Sequence, residues 1–178
     1  KTNLYGVVTA NGEGVPNVVV SDGIDVTITD KKGIYQLAST KRLGYVFVSI
    51  PSGYEAPSVG VLPTIHHKVR GDINTLERVD FSLNKLSKSQ DNFTFLTFGD
   101  MHLANRTGDL EQFKAFTKDV SDLVKSSGDN PIYAVTLGDM TWEIYWYSRN
   151  FGLTEYIKTL NDQIKGLQIF QCMGNHDN

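Results

Sequence analysis

The chain has 178 residues, 40% hydrophobic and 21% charged, and 17 Lys and Arg against 20 Asp and Glu give a formal net charge of −3. That balance belongs to a globular chain and excludes a disordered segment, a collagen-like repeat and the basic footprint of a nucleic-acid binder. The single cysteine, Cys172, excludes an intrachain disulfide, and no apolar run approaches the ~20 residues that cross a bilayer.

Domains commonly hold about 100–150 residues, so the length admits one domain or two small ones. The chain opens at Lys1 without an initiator Met or a leader pattern, which is expected after removal of a leader or after trimming. From Leu4 to Leu86 the rhythm is short and punctuated by turns. Strands are predicted at Leu4–Thr9, Val15–Ser21, Asp25–Thr29, Ile34–Ala38, Tyr45–Ile50 and Thr75–Leu83. Between them lie Asn11-Gly12, Asp22-Gly23, Lys32-Gly33 and Pro51-Ser52-Gly53. Val, Ile, Tyr and Phe at this spacing predict an all-β sandwich. In Asp25–Thr29, Val26 and Ile28 alternate with polar neighbours and are expected to face a core.

The polar run Asn84–Asn92 has no periodicity. It places a linker at residues 87–92, between a front domain of residues 1–86 and a second domain of residues 93–178. Phe93–Phe98 reads as a strand ending in Gly99-Asp100. Leu110, Phe113, Phe116, Val120, Leu123 and Val124 then form a helical stripe stopped by Gly128. Ile132–Leu137 is a second strand, Leu153, Ile157, Leu160 and Ile164 mark a second helix stopped by Gly166, and Leu167–Met173 is a third strand. The order β-α-β-α-β, with near-continuous apolar strands, predicts parallel β/α units. Right-handed crossovers then put both helices on one face of the sheet. The other face is expected to pack on the sandwich, on further residues, or on a second copy in a homo-oligomer.

Each of the three strands ends in a glycine followed by a side chain able to hold a metal: Gly99-Asp100-Met101-His102, Gly138-Asp139 and Gly174-Asn175-His176-Asp177. Ligands bind open α/β sheets at these carboxyl ends. Asp100 and His102 are two apart, so on an extended backbone they share a side. Mixed Asp, His and Asn donors suit Mn, Fe or Zn. Taken singly, Asp100 or Asp139 reads equally as a helix cap. Three such ends in chain order do not, and a cap has no need of the His in Gly-Asn-His-Asp.

This order resembles the calcineurin-like metallophosphoesterases over residues 93–178. The resemblance implies that Asp100 and His102 hold one metal, Asp139 bridges two and Asn175 holds the second. It implies that His176 assists the leaving group, oriented by Asp177, and that the substrate is a phosphomonoester or phosphodiester. Two cations ~3.5–4 Å apart suit that chemistry, and a His beside them can donate a proton near neutral pH. Gly6-Val7-Val8, Val15-Pro16-Asn17-Val18, Thr29-Asp30-Lys31-Lys32-Gly33 and Pro51-Ser52-Gly53-Tyr54 resemble the carboxypeptidase-regulatory-like, Ig-like or transthyretin-like sandwich that precedes a bacterial subgroup of that family. That resemblance implies a periplasmic, secreted or cell-surface protein. The family's later His and Gly-His-x-His blocks are not found before Asn178, so a truncated domain with an incomplete metal centre is expected. A non-catalytic fragment, its sandwich a spacer or recognition module, is the alternative.

Among the remaining candidates, adjacent His66 and His67 face opposite sides of a strand and read as a polar edge. Cys172 reads as a buried, inert thiol within its strand. Trp142, Tyr145, Trp146, Tyr147 and Phe151 read either as a wall over a substrate or as packing. Glu143 reads as solvated surface ahead of a substitute for the further Asp or Asn of the resembled family, Arg106 as a surface residue ahead of a phosphate contact, and Asp109 and Glu111 as favourable charges at a helix N-terminus.

Overall fold

The computed structural model describes residues 1–142 and 152–177. The chain divides into two compact units, Lys1–Pro57 with Thr64–Ser89, and Ser58–Pro63 with Gln90–Asn178. Glu143, Tyr145, Trp146, Tyr147 and Phe151 lie outside the described residues.

In chain order the strands of the front segment are β1 (Leu4–Ala10), β2 (Glu13–Gly14), β3 (Val19–Ser21), β4 (Val26–Ile28), β5 (Ile34–Leu37), β6 (Tyr45–Val48) and β7 (Tyr54–Glu55). They continue with β8 (Ser58–Val59), β9 (Leu62–Pro63), β10 (His66–Lys68), β11 (Glu77–Arg78) and β12 (Phe81–Lys85). One sheet runs β11-β1-β12-β7, with β2 and β5 also pairing β1, and a second runs β10-β6-β3-β4. Both sheets contribute to one core: Leu4 and Val8 of β1, Tyr35 and Leu37 of β5 and Phe81 and Leu83 of β12 pack with Val20 of β3 and Val46 and Val48 of β6.

Three local expectations are corrected. The strand predicted at Val15–Ser21 starts only at Val19, because Asn17 turns the chain at φ 60°. The strand predicted at Thr75–Leu83 is split at Val79-Asp80, where the Asp80 carboxylate, not a carbonyl, accepts from Val7 N–H at 3.0 Å. On the edge strand β4, Val26 and Ile28 point outward, 63% and 57% exposed. The buried Thr29 hydroxyl sets that register: it donates to Val15 C=O and accepts from Val18 N–H, both at 2.8 Å, so Thr27 pairs with Val20. His66 and His67 lie on the exposed edge strand β10.

The second unit holds β13 (Thr94–Phe98), α1 (Asp109–Ser126), β14 (Ile132–Thr136), α2 (Leu153–Gln163) and β15 (Ile169–Phe170), with the β8–β9 hairpin. Its three strands pair in parallel in the order β13-β14-β15. Leu96, Phe98, Ile132, Ala134 and Ile169 share a core with Phe113 and Val120 of α1 and Tyr156 and Leu160 of α2. The alternate residue Phe95 is 55% exposed, so one sheet face carries both helices. On α1 the buried line is Phe113, Thr117, Val120 and Ser121, with Leu123 exposed. Thr117 is tolerated there because its hydroxyl donates to Lys114 C=O at 3.0 Å. The third strand is shorter than expected, ending at Phe170, and Cys172 beyond it is exposed rather than buried.

The front unit also buries a charge. The Lys41 side chain is fully enclosed, and its ammonium donates to Asp72 C=O, Thr75 C=O and the Glu77 carboxylate, the last at 2.5 Å. Burial pushes the Glu77 carboxyl up, but the Lys41 hydrogen bond and the Arg70 N–H outweigh it and hold it below its ordinary value of 4.5. A carboxyl depressed in the folded state stabilises above its unfolded value, and that contribution is lost as pH falls through the folded value. Glu77→Gln removes the countercharge of the buried ammonium and leaves it on two carbonyls, and is expected to cost about 3 kcal/mol at pH 7. The gap from the parent protein should narrow as pH drops below 4.5, as read by urea unfolding; a gap constant down to pH ~3 would contradict the assignment.

Candidate metal centre

Because the three strands run parallel, their carboxyl ends reach one edge of the sheet. The β13–β14 pairing continues past the strands themselves. Leu137 N–H donates to Phe98 C=O at 2.7 Å, His102 N–H to Asp139 C=O at 2.9 Å, Leu103 N–H to Met140 C=O at 3.1 Å and Trp142 N–H to Leu103 C=O at 3.0 Å. β15 ends too early for such a ladder, and the Thr136 hydroxyl substitutes for it. It accepts from Cys172 N–H at 2.8 Å and donates to Cys172 C=O at 3.2 Å.

Beyond β14 the chain approaches the third loop more closely than any side chain would permit. Gly138, at φ 95°, would direct a Cβ to 2.8 Å from Gly174 Cα, and a Cβ on Gly174 would stand 2.1 Å from Asp139 Oδ1. With both Cβ atoms missing, His176 N–H donates to Asp139 Oδ1 at 3.0 Å. Asp100, His102 and Asp139 all sit at positive φ, 51°, 46° and 52°. Non-glycine residues adopt that region at a cost, and such strain gathers where a site must aim its side chains.

The result is a cluster of His102, Asp139 and His176, with one donor atom from each lying within 4.8 Å of the others. His102 Nε2 stands 3.5 Å from Asp139 Oδ2. It is buried and meets no hydrogen-bond partner among the described residues, which is a costly arrangement for a ring nitrogen unless something else occupies its lone pair or takes its proton. The His176 N–H is the largest influence on the Asp139 carboxyl; burial opposes it, the His102 and His176 rings add to it, and the net effect holds the group below its usual range. An anionic oxygen beside an imidazole nitrogen with no partner among the described residues is a donor pair that fits a divalent ion of the Mn, Fe or Zn type, with a second imidazole within reach.

Trp142 closes one side. Its ring stacks on His176 at 4.7 Å and 12°, and meets His102 edge-on at 4.5 Å. Arg106 lies over the same indole at 5.8 Å, with its Nε on Asp109 Oδ2 at 2.8 Å. The Asp177 carboxylate is buried and accepts from Thr141 N–H at 2.9 Å, Thr141 hydroxyl at 3.3 Å and Gly174 N–H at 2.8 Å, so it ties the second loop to the third.

Of the residues singled out from sequence, His102, Asp139 and His176 come together. Asp100 and Asn175 are exposed, and Asp100 is outside the cluster. Thr136 and Thr141 were missed. Thr136 had a signal, a polar residue closing the apolar run Ile132–Thr136, whereas nothing in the local sequence marks Thr141.

Residues 2–86 match the family described as the N terminal of Calcineurin-like phosphoesterase. No curated protein and no solved structure shows significant similarity to the chain. No helix among the described residues is long and apolar enough to cross a membrane.

The close approach is directly testable. Gly174→Ala forces a methyl into Asp139 and is expected to destabilise by about 1–3 kcal/mol in urea unfolding. Gly99→Ala is the control, since a Cβ there meets nothing closer than Leu137 at 3.8 Å and should cost little. Equal costs for the two would contradict this account of the loops.

Proposed function

We propose that this chain, whose residues 2–86 match the family described as the N terminal of Calcineurin-like phosphoesterase, is part of a metal-dependent hydrolase of phosphomonoesters or phosphodiesters. The observation that carries the reading is the His102–Asp139–His176 cluster at the carboxyl edge of a parallel sheet. Asp139 and His102 would hold a divalent ion, which when bound supplies positive charge to the phosphoryl oxygens and lowers the pKa of water. His176 fits the part of proton donor to the leaving oxygen: its backbone N–H is anchored on Asp139 and its ring is braced by Trp142. Asp177 is assigned as a positioning residue that keeps Thr141 and Gly174, and hence both loops, in place.

One observation favours a second reading, that the chain binds an ion without turnover. Asp100, the partner expected for His102, stands apart from the cluster. Metal stoichiometry and turnover separate the two readings.

Asp139→Asn keeps the side chain's shape and removes its charge. Loss of supporting groups around a metal already costs 10–100-fold, so loss of a ligand charge is expected to lower Mn²⁺ affinity and aryl phosphate ester hydrolysis by ~100-fold or more. Undiminished hydrolysis in that variant would sink the hydrolase reading, and metal retention without hydrolysis in the parent protein would establish the second.

A further inference from the structure

A cavity of about 330 Å³ opens beside His102, bounded by the loop after β13 and by α1. Met101, Phe113 and Phe116 form its apolar walls, and His102, Gln112 and the Arg106–Asp109 pair supply its polar ones. We infer that this cavity receives the organic group of the phosphate ester, and that the group is aromatic or similarly flat and apolar. The inference rests on the hydrolase reading and adds to it the class of substrate.

Position is the first support. His102 belongs both to the cluster and to the cavity wall, so an ester held by its phosphoryl oxygens at the cluster has its substituent directed along this opening. Size is the second: cavities near 150 Å³ hold a benzene ring, so this one takes a ring with room for a substituent. The third is rigidity. Phe116 is fixed edge-on against Phe98 at 5.3 Å and stacked with Phe113 at 6.0 Å, while Phe113 stacks on Tyr156 at 5.5 Å. Walls held by their own neighbours need no reordering when a ligand enters, which preserves affinity. Arg106 is held as well, bonded to Asp109, which also lines the cavity, and donating to His102 C=O at 3.3 Å, so the polar wall is as fixed as the apolar one. The exposed Gln112 marks the cavity as a surface cleft and not a packing void sealed in the core.

The test is calorimetric binding of two non-hydrolysable probes, phenylphosphonate and methylphosphonate, to the purified Mn²⁺-loaded protein. Burial of one ring predicts that phenylphosphonate binds at least about tenfold more tightly. Gln112→Trp places an indole at the exposed mouth and should bring that ratio close to one, with an unchanged unfolding midpoint verifying the fold. Equal affinities in the parent protein, or a preference undiminished in Gln112→Trp, would overturn the cavity assignment and leave the hydrolase reading intact. Binding of neither probe, together with undiminished hydrolysis in Asp139→Asn, would overturn the hydrolase reading and the cavity assignment with it.

Discussion

The contact on which the site depends is between two stretches of backbone, the Gly138-Asp139 turn and Gly174. Ladder hydrogen bonds hold parallel strands only as far as both strands extend, and β15 contributes just Ile169–Phe170. Past that point the third loop has to be held by other means. Three are visible: the Thr136 hydroxyl on Cys172, the Asp177 carboxylate on Thr141, and the His176 N–H on Asp139. All three need the two segments close together. A side chain on Gly174 would occupy the space of the Asp139 carboxylate itself. The glycine there is a steric requirement, whereas Gly138 meets both a steric one and the conformational one of its positive φ.

The same geometry explains why Asp139 is the electrostatic centre. Its carboxylate accepts a backbone N–H and faces two imidazoles, and each interaction favours the ionised form. An oxygen held anionic in this way is ready for a cation without first losing a proton. The cost falls on the backbone: left-handed φ at Asp100, His102 and Asp139 stores about 1–3 kcal/mol each. Neighbouring burial offsets it, since Leu103 and Ala104 directly follow His102, Met140 and Thr141 directly follow Asp139, and all four are almost completely enclosed. The loops therefore anchor themselves with buried residues next to the polar ones they present at the sheet edge.

Much of this was legible in the residues. Strands β13 and β14, both helices and the parallel order follow from apolar runs of the right length interrupted by glycine. His102, Asp139 and His176 follow from their position after those runs. What could not be read is whatever depends on chain direction at the turns. On an extended backbone Asp100 and His102 would share a side, but positive φ at both positions breaks that alternation, and only His102 reaches the cluster. Likewise, Val26 and Ile28 have the spacing of a half-buried strand, yet the bonds of the adjacent Thr29 hydroxyl to the more distant Val15 and Val18 set the register and turn them outward. Periodicity predicts that two residues share a face; it does not say which face a long-range hydrogen bond will choose.

The hairpin Ser58–Pro63 shows a further limit of reading a chain as consecutive blocks. It falls inside the segment matched as residues 2–86, yet it is assigned to the second unit. Val61 is buried in that unit's core, its C=O accepts from Ile169 N–H at 2.8 Å and its N–H donates to Asn161 Oδ1 at 2.9 Å. Ile169 belongs to β15, the short strand whose following loop carries His176. With two residues and one strand neighbour, β15 has few backbone partners, and Val61 supplies one from the side. Gly60 is needed for that contact, because a Cβ there would lie 2.1 Å from Asn161 Oδ1. Six residues read from sequence as part of the front domain thus belong to the framework on which the third loop stands. The boundary near residue 90 divides the sequence, but the packing that supports the site crosses it.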